Sequence, residues 1–323
     1  MLMRVLVTGG SGFVGQRLLR RLARLAGVLP VAGVRDAEAW SRSGLSCEQL
    51  LLGDLAEGQV DANMLQGVDV LVHAAARVHV MDELESDPQA AFRKMNVTAS
   101  VGLAEAAARA GVKRFIFISS IKVNGEETVP GQRFTAEDLP SPVDPYGISK
   151  YEAEQGLRQV CERTGMEWVV VRPPLVYGPG VKANFQRLMH SLRRGLPLPV
   201  AALHNQRSLV ALDNLVDLLV TCLDHPHAAN EVFMVSDGDD LSVRSLAEGL
   251  ARLLGSRSWL LPVPAGCLRA GLRLLGRAAV AQRLCGELRV DMDKTCSLLG
   301  WQPPLTVDEA LAGTVAHYLE SRG

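Results

Sequence analysis

The sequence predicts an α/β protein, a doubly wound parallel sheet with a smaller, mostly C-terminal second domain, and three observations carry that reading. Short apolar runs alternate with longer segments of helical periodicity, the first run passes straight into a glycine-spaced loop, and the alternation loosens after residue 173. In order, "RVLVTG" precedes the helical "RLLRRLARLA", "LPVAGV" supplies a second strand, and "DVLVHAA" precedes "AAFRKMNVTASVGLAEAAARA". "RFIFISS", a helix beginning at "DPYGISK" and "WVVVRPP" complete the first part. Continuously apolar strands of this kind are buried on both faces, which requires helices on both sides of the sheet. Proline-rich connections, one more strand at "EVFMVS" and helices at about 241–255 and 264–285 follow. The expected division is residues 1–173 with about 209–238 in one domain, and 174–208 with 239–323 in the other.

A chain of 323 residues with 48% hydrophobic content can bury a large core. Lysine and arginine total 34 against 35 acidic residues, so the overall charge gives no reason to expect a nucleic-acid partner. The six cysteines show no C-x-x-C spacing, which argues against a zinc site or a redox dithiol and for reduced thiols in a cytoplasmic protein. "MLMRVLVTGG" carries too short an apolar run for a signal peptide, and no stretch approaches the length of a membrane span.

Directly after the first strand, "TGGSGFVGQRLL" spaces Gly9, Gly12 and Gly15 ahead of a helix. Glycines allow a tight turn and close approach of a pyrophosphate, whose charge then meets the N–H groups of the helix N-terminus. This is the dinucleotide loop of a Rossmann fold, with Ser11, Phe13 and Val14 between the glycines. At the end of the second strand Arg35 takes the position that discriminates cofactors, where an arginine suits the 2′-phosphate of NADP(H) and an acid suits NAD(H). NADP(H) is therefore expected, with NAD(H) as the alternative. Asp54 and Leu55 lie at a strand end near the adenine, and Ala74, Ala75 and Ala76 are small enough to let the cofactor reach the sheet.

Tyr146 and Lys150 are spaced to stack on the first turn of the "DPYGISK" helix. A nearby ammonium is expected to lower the phenol's pKa, so that Tyr146 can exchange a proton with a carbonyl or alcohol. Ser119 and Ser120 end a strand that feeds the same sheet edge, where a hydroxyl can hold the substrate oxygen.

Together, "TGGSGFVG", "GDL", "VHAAA", "MNVTAS", "FISS", "DPYGISK", "RPPLVYGPG" and "LLGWQPPLTVDEAL" resemble the extended short-chain dehydrogenase/reductase superfamily, in its sugar-nucleotide epimerase, dehydratase and reductase branch. The resemblance covers essentially the whole chain. It implies Tyr146 as acid/base, Lys150 as its tuner and ribose ligand, Ser120 as carbonyl partner, and Asn96 as the residue that orders the catalytic helix. Pro173 falls with the cofactor residues, while Asn184, Phe185, Arg207 and Arg283 fall along a nucleotide-sugar substrate. Two departures stand out. Ile121 and Lys122 replace the acidic pair of dehydratases, and Leu175 replaces an asparagine common in epimerases.

The resemblance implies NADPH-dependent reduction of a UDP-linked 4-keto-6-deoxy-2-acetamido sugar to UDP-QuiNAc or UDP-FucNAc for surface polysaccharide. The alternative is an NAD-dependent UDP-hexose 4-epimerase. A non-catalytic dinucleotide-binding regulator is set aside because serine, tyrosine and lysine are all kept. A homodimer through the helices of Asn96 and Tyr146 is implied by analogy. Arg269, Arg273 and Arg277 recur at helical spacing, and their segment is read as a helix with its leucines in the core and its arginines in water, ahead of contact with an anionic membrane.

Overall fold

The structure, a computed structural model, describes residues 2–41, 43–58, 60–77, 87–257 and 259–321. The strands are β1 (Met3–Thr8), β2 (Val28–Val34), β3 (Glu48–Leu51), β4 (Val70–His73), β5 (Arg114–Ile118) and β6 (Glu167–Arg172). After them come β7 (Leu175–Tyr177), β8 (Gln206–Arg207), β9 (Leu209–Ala211), β10 (Glu231–Met234) and β11 (Leu241–Ser242). The central sheet runs β3-β2-β1-β4-β5-β6-β10, and its strand pairs are all parallel. Strand order reverses between β1 and β4, the place where open parallel sheets leave a ligand crevice at their carboxyl edge. Pro30 fits inside β2 because it pairs with Val5 one residue before β3 joins at Val31.

The helices are α1 (Phe13–Leu22), α2 (Ala37–Ser41), α3 (Pro88–Phe92), α4 (Ala99–Arg109), α5 (Pro145–Thr164) and α6 (Ala183–Arg193). Next are α7 (Leu212–Thr221), α8 (Val243–Leu253), α9 (Ala265–Leu274), α10 (Ala278–Cys285), α11 (Asp293–Leu299) and α12 (Val307–Glu320). Alternation along β1 sorts its side chains between two cores. Val5 and Val7 pack with Leu18 and Leu22 of α1 and Leu215 and Leu219 of α7. Leu6 packs with Leu103 and Ala107 of α4 and Leu157 and Val160 of α5. Each such buried aliphatic side chain contributes about 1.5–3 kcal/mol, so both faces of the sheet are clamped.

A third core gathers Phe185 and Met189 of α6, Leu250 of α8, and Leu311 and Val315 of α12. Contacts cross the boundary expected at 239. Leu299 and Trp301 join the first core, Trp301 Nε1 donates to Asp217 Oδ2 at 3.0 Å, and Thr295 Oγ1 donates to the Met234 carbonyl at 2.6 Å. One expectation is corrected: no residue of α9 is fully buried, and Leu274 and Leu275 are exposed. Among the described residues no helix is long and apolar enough to cross a membrane, and no cluster of His, Cys, Asp or Glu could hold a metal ion.

Candidate active site

A cavity of about 680 Å³ opens at the carboxyl edge of β1, β2 and β4. It is lined by Gly9, Ser11 and Gly12 of the glycine loop, by Arg35, Asp54 and Leu55, and by Ala74, Ala75 and Ala76. Gly9 has φ +68°, and a Cβ there would lie 2.7 Å from the Ala75 nitrogen. A Cβ on Gly15 would lie 2.2 Å from the Gly9 carbonyl, so only glycine lets α1 close on its own loop. Gly12 caps α1 without a side-chain acceptor, and the first turn of α1 holds no acidic residue. Its free N–H groups and positive dipole end therefore face the cleft ready for a pyrophosphate. This donor set, on a floor of small side chains, fits a dinucleotide. Phe13 and Val14 do not line the cavity and pack instead against the first core.

Arg35 does line the cleft, but its guanidinium lies 3.7 Å from the Asp54 carboxylate. Asp54 also accepts from the Ala56 N–H at 2.9 Å. Asp36 turns away and accepts from the Glu38 N–H at 2.8 Å. The sequence reading missed Arg77, Lys94 and Met95, which also line the cavity. They lie on either side of a long connection after β4, and only the fold brings them over the sheet edge.

At the end of β5 the two serines part. Ser119 is buried and donates to Glu154 Oε1 at 2.5 Å, within a network that includes Arg172 to Glu154 at 2.6 Å and Arg172 to Asn124 at 3.0 Å. Ser120 faces the other way, where its hydroxyl accepts from the Lys122 N–H at 3.3 Å and hydrogen-bonds Tyr146. Asp144 caps α5 by accepting from the Gly147 N–H at 2.6 Å, with Pro145 in the first turn, as the sequence signals. Lys122 pairs with Asp144 and, at 2.9 Å, with Glu126, while its neighbour Ile121 is buried.

Lys150 is fully buried. Its Nζ donates to the Ile118 carbonyl at 2.8 Å and sits 4.3 Å from the centre of the Phe117 ring. Burial pushes its pKa down to about 7, against an upward pull from Glu154. Tyr146 is only partly accessible, and the atoms crowding its hydroxyl push its pKa up to about 12; the Ser120 hydrogen bond pulls the other way, and Asp144 adds to the rise. The expected lowering of Tyr146 by Lys150 is thus corrected, because desolvation dominates and the ammonium is aimed at a backbone carbonyl.

Asn96 is also buried, but it serves the site indirectly. Its Oδ1 accepts from the Arg77 N–H at 2.8 Å, and its Nδ2 donates to the Arg77 carbonyl at 3.0 Å and to Ser149 Oγ at 2.9 Å. It fastens α5 to the strand-end connection through a wide helical turn over Arg93–Thr98 and does not line the cleft. The Pro173 carbonyl likewise accepts from the Ile121 N–H at 3.0 Å and fixes the Ser120 turn.

On the far side, Arg207 donates to the Gly286 carbonyl at 2.9 Å. Its pKa is lowered by burial, raised by Glu127 and Glu126, and lowered by Arg283, which is within electrostatic range of it. Asn184 is exposed at the start of α6, just after Ala183 at φ 54°. Phe185 is buried and stacks on Tyr177 at 5.4 Å, so its ring packs the third core rather than lying along a ligand. Tyr177 in turn donates to the buried Asp237 at 2.8 Å, a pair that no local spacing announces.

A doubly wound sheet with this glycine loop and with Ser120, Tyr146 and Lys150 at the neighbouring strand and helix ends defines an extended short-chain dehydrogenase/reductase. The chain belongs to the NAD dependent epimerase/dehydratase family, whose model matches residues 5–236. It is 45% identical to a UDP-glucose 4-epimerase of Vibrio cholerae over 98% of this chain and 96% of that protein. An N-acetyl-alpha-D-glucosaminyl-diphospho-ditrans,octacis-undecaprenol 4-epimerase of Escherichia coli O157:H7 is 26% identical over 97% of this chain and 94% of its own. The fold is similar to that of UDP-glucuronic acid 4-epimerase from Bacillus cereus in complex with NAD, with a TM-score of 0.80 at 19% identity, covering 99% of this chain and all of the other. It is an enzyme of this NAD-dependent, Rossmann-type family.

Proposed function

We propose that the protein is a UDP-hexose 4-epimerase working on a retained NAD, the alternative in the sequence reading rather than its NADPH-dependent 4-ketoreductase. The observation that carries this is end-to-end 45% identity with a UDP-glucose 4-epimerase. The ketoreductase reading leaned on Arg35, whose charge is shared with Asp54 at 3.7 Å. In this proposal the glycine loop and the N-terminus of α1 hold the pyrophosphate, Asp54 and Leu55 the adenosine side, and Lys150 the nicotinamide ribose. The lobe around the third core, with Asn184, Arg207 and Arg283, holds the sugar nucleotide.

Bound NAD would supply hydride-transfer chemistry at C4 of the sugar. Tyr146 accepts the proton of the sugar 4-hydroxyl and gives it back to the 4-keto oxygen, while Ser120 holds that oxygen where charge develops. A depressed Lys150 gains acceptors when ribose hydroxyls reach it, which favours its charged form and draws Tyr146 back toward a useful range. Arg207 and Arg283 would hold the diphosphate while the 4-keto sugar rotates and presents its opposite face. Ile121 is apolar and Lys122 is tied to Asp144 and Glu126, which leaves no acid/base pair for water loss. A homodimer through α4 and α5 belongs to the same proposal, and light scattering tests it.

The test incubates the purified protein with UDP-glucose and with UDP-GlcNAc, without added cofactor, and separates the products. Conversion at C4, with NAD recovered from denatured enzyme, is expected. Consumption of NADPH on UDP-4-keto-6-deoxy-GlcNAc, with no epimerisation, would restore the ketoreductase. Arg35→Ala is expected to leave NAD affinity nearly unchanged; a loss of about 1.5–3 kcal/mol confined to NADPH would also favour the ketoreductase.

A further inference from the structure

Between Glu248 and Glu287 the chain holds six arginines, at 252, 257, 269, 273, 277 and 283, and no acidic residue, in a protein whose formal net charge is only −1. Arg193 and Arg194 join them from α6, because the chain just beyond pairs with this segment: Leu198 N–H donates to the Trp259 carbonyl and Leu261 N–H to the Leu198 carbonyl, each at 2.8 Å. Arg193, Arg194, Arg252, Arg257, Arg273 and Arg277 are exposed, and among the described residues none of the six forms an ion pair with an acidic side chain. The same stretch exposes large apolar side chains. Leu274 is 89% exposed, Leu275 73% and Trp259 66%. Leu268 of α9 leans on the third core, so the helix is held by one side while its outer face is bare.

We propose that this surface docks on an anionic phospholipid bilayer, with α9 and Trp259 lying in the headgroup region and the arginines on lipid phosphates. Leucines and tryptophan in one exposed stretch with unneutralised arginines are what an interfacial segment uses: apolar side chains enter the acyl boundary, tryptophan sits at headgroup level, and positive charge is drawn to anionic lipid. A second copy of the chain suits the surface poorly, since a twofold contact would set like-charged arginines against each other. Nucleic acid would meet the arginines but leave the leucines in water. The inference concerns a face built from α8 to α10 and stands independently of the 4-epimerase reading.

The experiment sediments the full-length protein with vesicles of phosphatidylcholine alone and of phosphatidylcholine mixed with phosphatidylglycerol, and follows tryptophan fluorescence in parallel. Trp259 is far more exposed than the buried Trp40 and Trp301, so a blue shift that is lost in Trp259→Phe reports the docked face. Binding to the anionic vesicles at least roughly tenfold tighter than to the neutral ones is expected, weakening with salt. Arg273→Glu/Arg277→Glu should weaken it by at least roughly tenfold, and Leu274→Ser/Leu275→Ser should weaken it as well, both with sugar turnover retained. No binding, or equal binding to both vesicles, overturns the proposal. So does a Leu274→Ser/Leu275→Ser protein that binds vesicles normally but loses an oligomer in light scattering, which would assign the face to self-association.

Discussion

The cofactor cleft joins backbone and small side chains, Gly9, Gly12 and Ala74 to Ala76, to Arg35, Asp54, Arg77 and Lys94, whereas around Arg207 the chain presents only long charged groups, drawn from residues 126, 127, 207 and 283. The glycine-loop part of the first arrangement is local, made by one strand-loop-helix passage, while the rest is gathered from the ends of β2, β3 and β4 and from Lys94. The second exists only when β8 and α10 close on the turn after Ser120. Binding in the first half is therefore expected to survive changes that ruin the second, and the following variants test that separation.

The largest effect is expected beneath both halves. Glu154→Leu leaves Arg172 buried and unpaired and removes the acceptor of Ser119. A loss of about 3–5 kcal/mol in urea titration is expected, as for other buried pairs broken on one side. An unchanged unfolding midpoint would show that the pair does not brace the two strand ends. Next comes Tyr146→Phe, which keeps the ring but removes the transferable proton. Turnover should fall at least roughly a hundredfold while NAD stays bound, so near-normal turnover would take Tyr146 out of the chemistry.

Arg207→Ala should weaken the sugar nucleotide by about 1.5–3 kcal/mol, with NAD affinity untouched. Calorimetry with both ligands checks it, and equal losses would mean the halves are not separable. The smallest effect over a single pH unit concerns His73, which lies fully buried under the cleft between Thr8 at 2.6 Å and Ser100 at 2.9 Å. Burial, with Lys150 adding, pushes its pKa down to about 3 from 6.5. The unfolded chain therefore binds this proton first as pH falls. Stability should decline below about pH 6.5, by at most about 1.4 kcal/mol per pH unit from this group. Melts of wild type and His73→Gln across that range isolate it, since the carboxylates and the other histidines titrate in both. Parallel slopes would exclude the buried imidazole as a source of acid sensitivity.

Much of the cofactor half was readable because its determinants sit close together in the chain. Gly9, Gly12 and Gly15 fall between a strand and a helix, and Tyr146 and Lys150 fall one turn apart behind the cap Asp144. The resemblance points to Ser120 rather than Ser119, but what turns Ser119 away is Glu154, on a helix that no local spacing connects to β5. Phe185 was misplaced because a phenylalanine at a helix start reads alike whether it meets ligand or core; Tyr177 decides the matter. Lys150 was expected to lower Tyr146 because spacing reveals proximity and not desolvation.

The sequence by itself determined the alternation of strands and helices through β6, the glycine loop between β1 and α1, and the one-turn spacing of Tyr146 and Lys150, since periodicity, backbone sterics and helical spacing act over a few residues. Tertiary structure alone decided which way each serine faces, how far burial shifts Tyr146 and Lys150, which charges come within range of Arg207, and that Leu274 and Leu275 are left in water. Those outcomes depend on which surfaces are removed from solvent together, and desolvation is a property of the packed molecule that no stretch of chain carries alone.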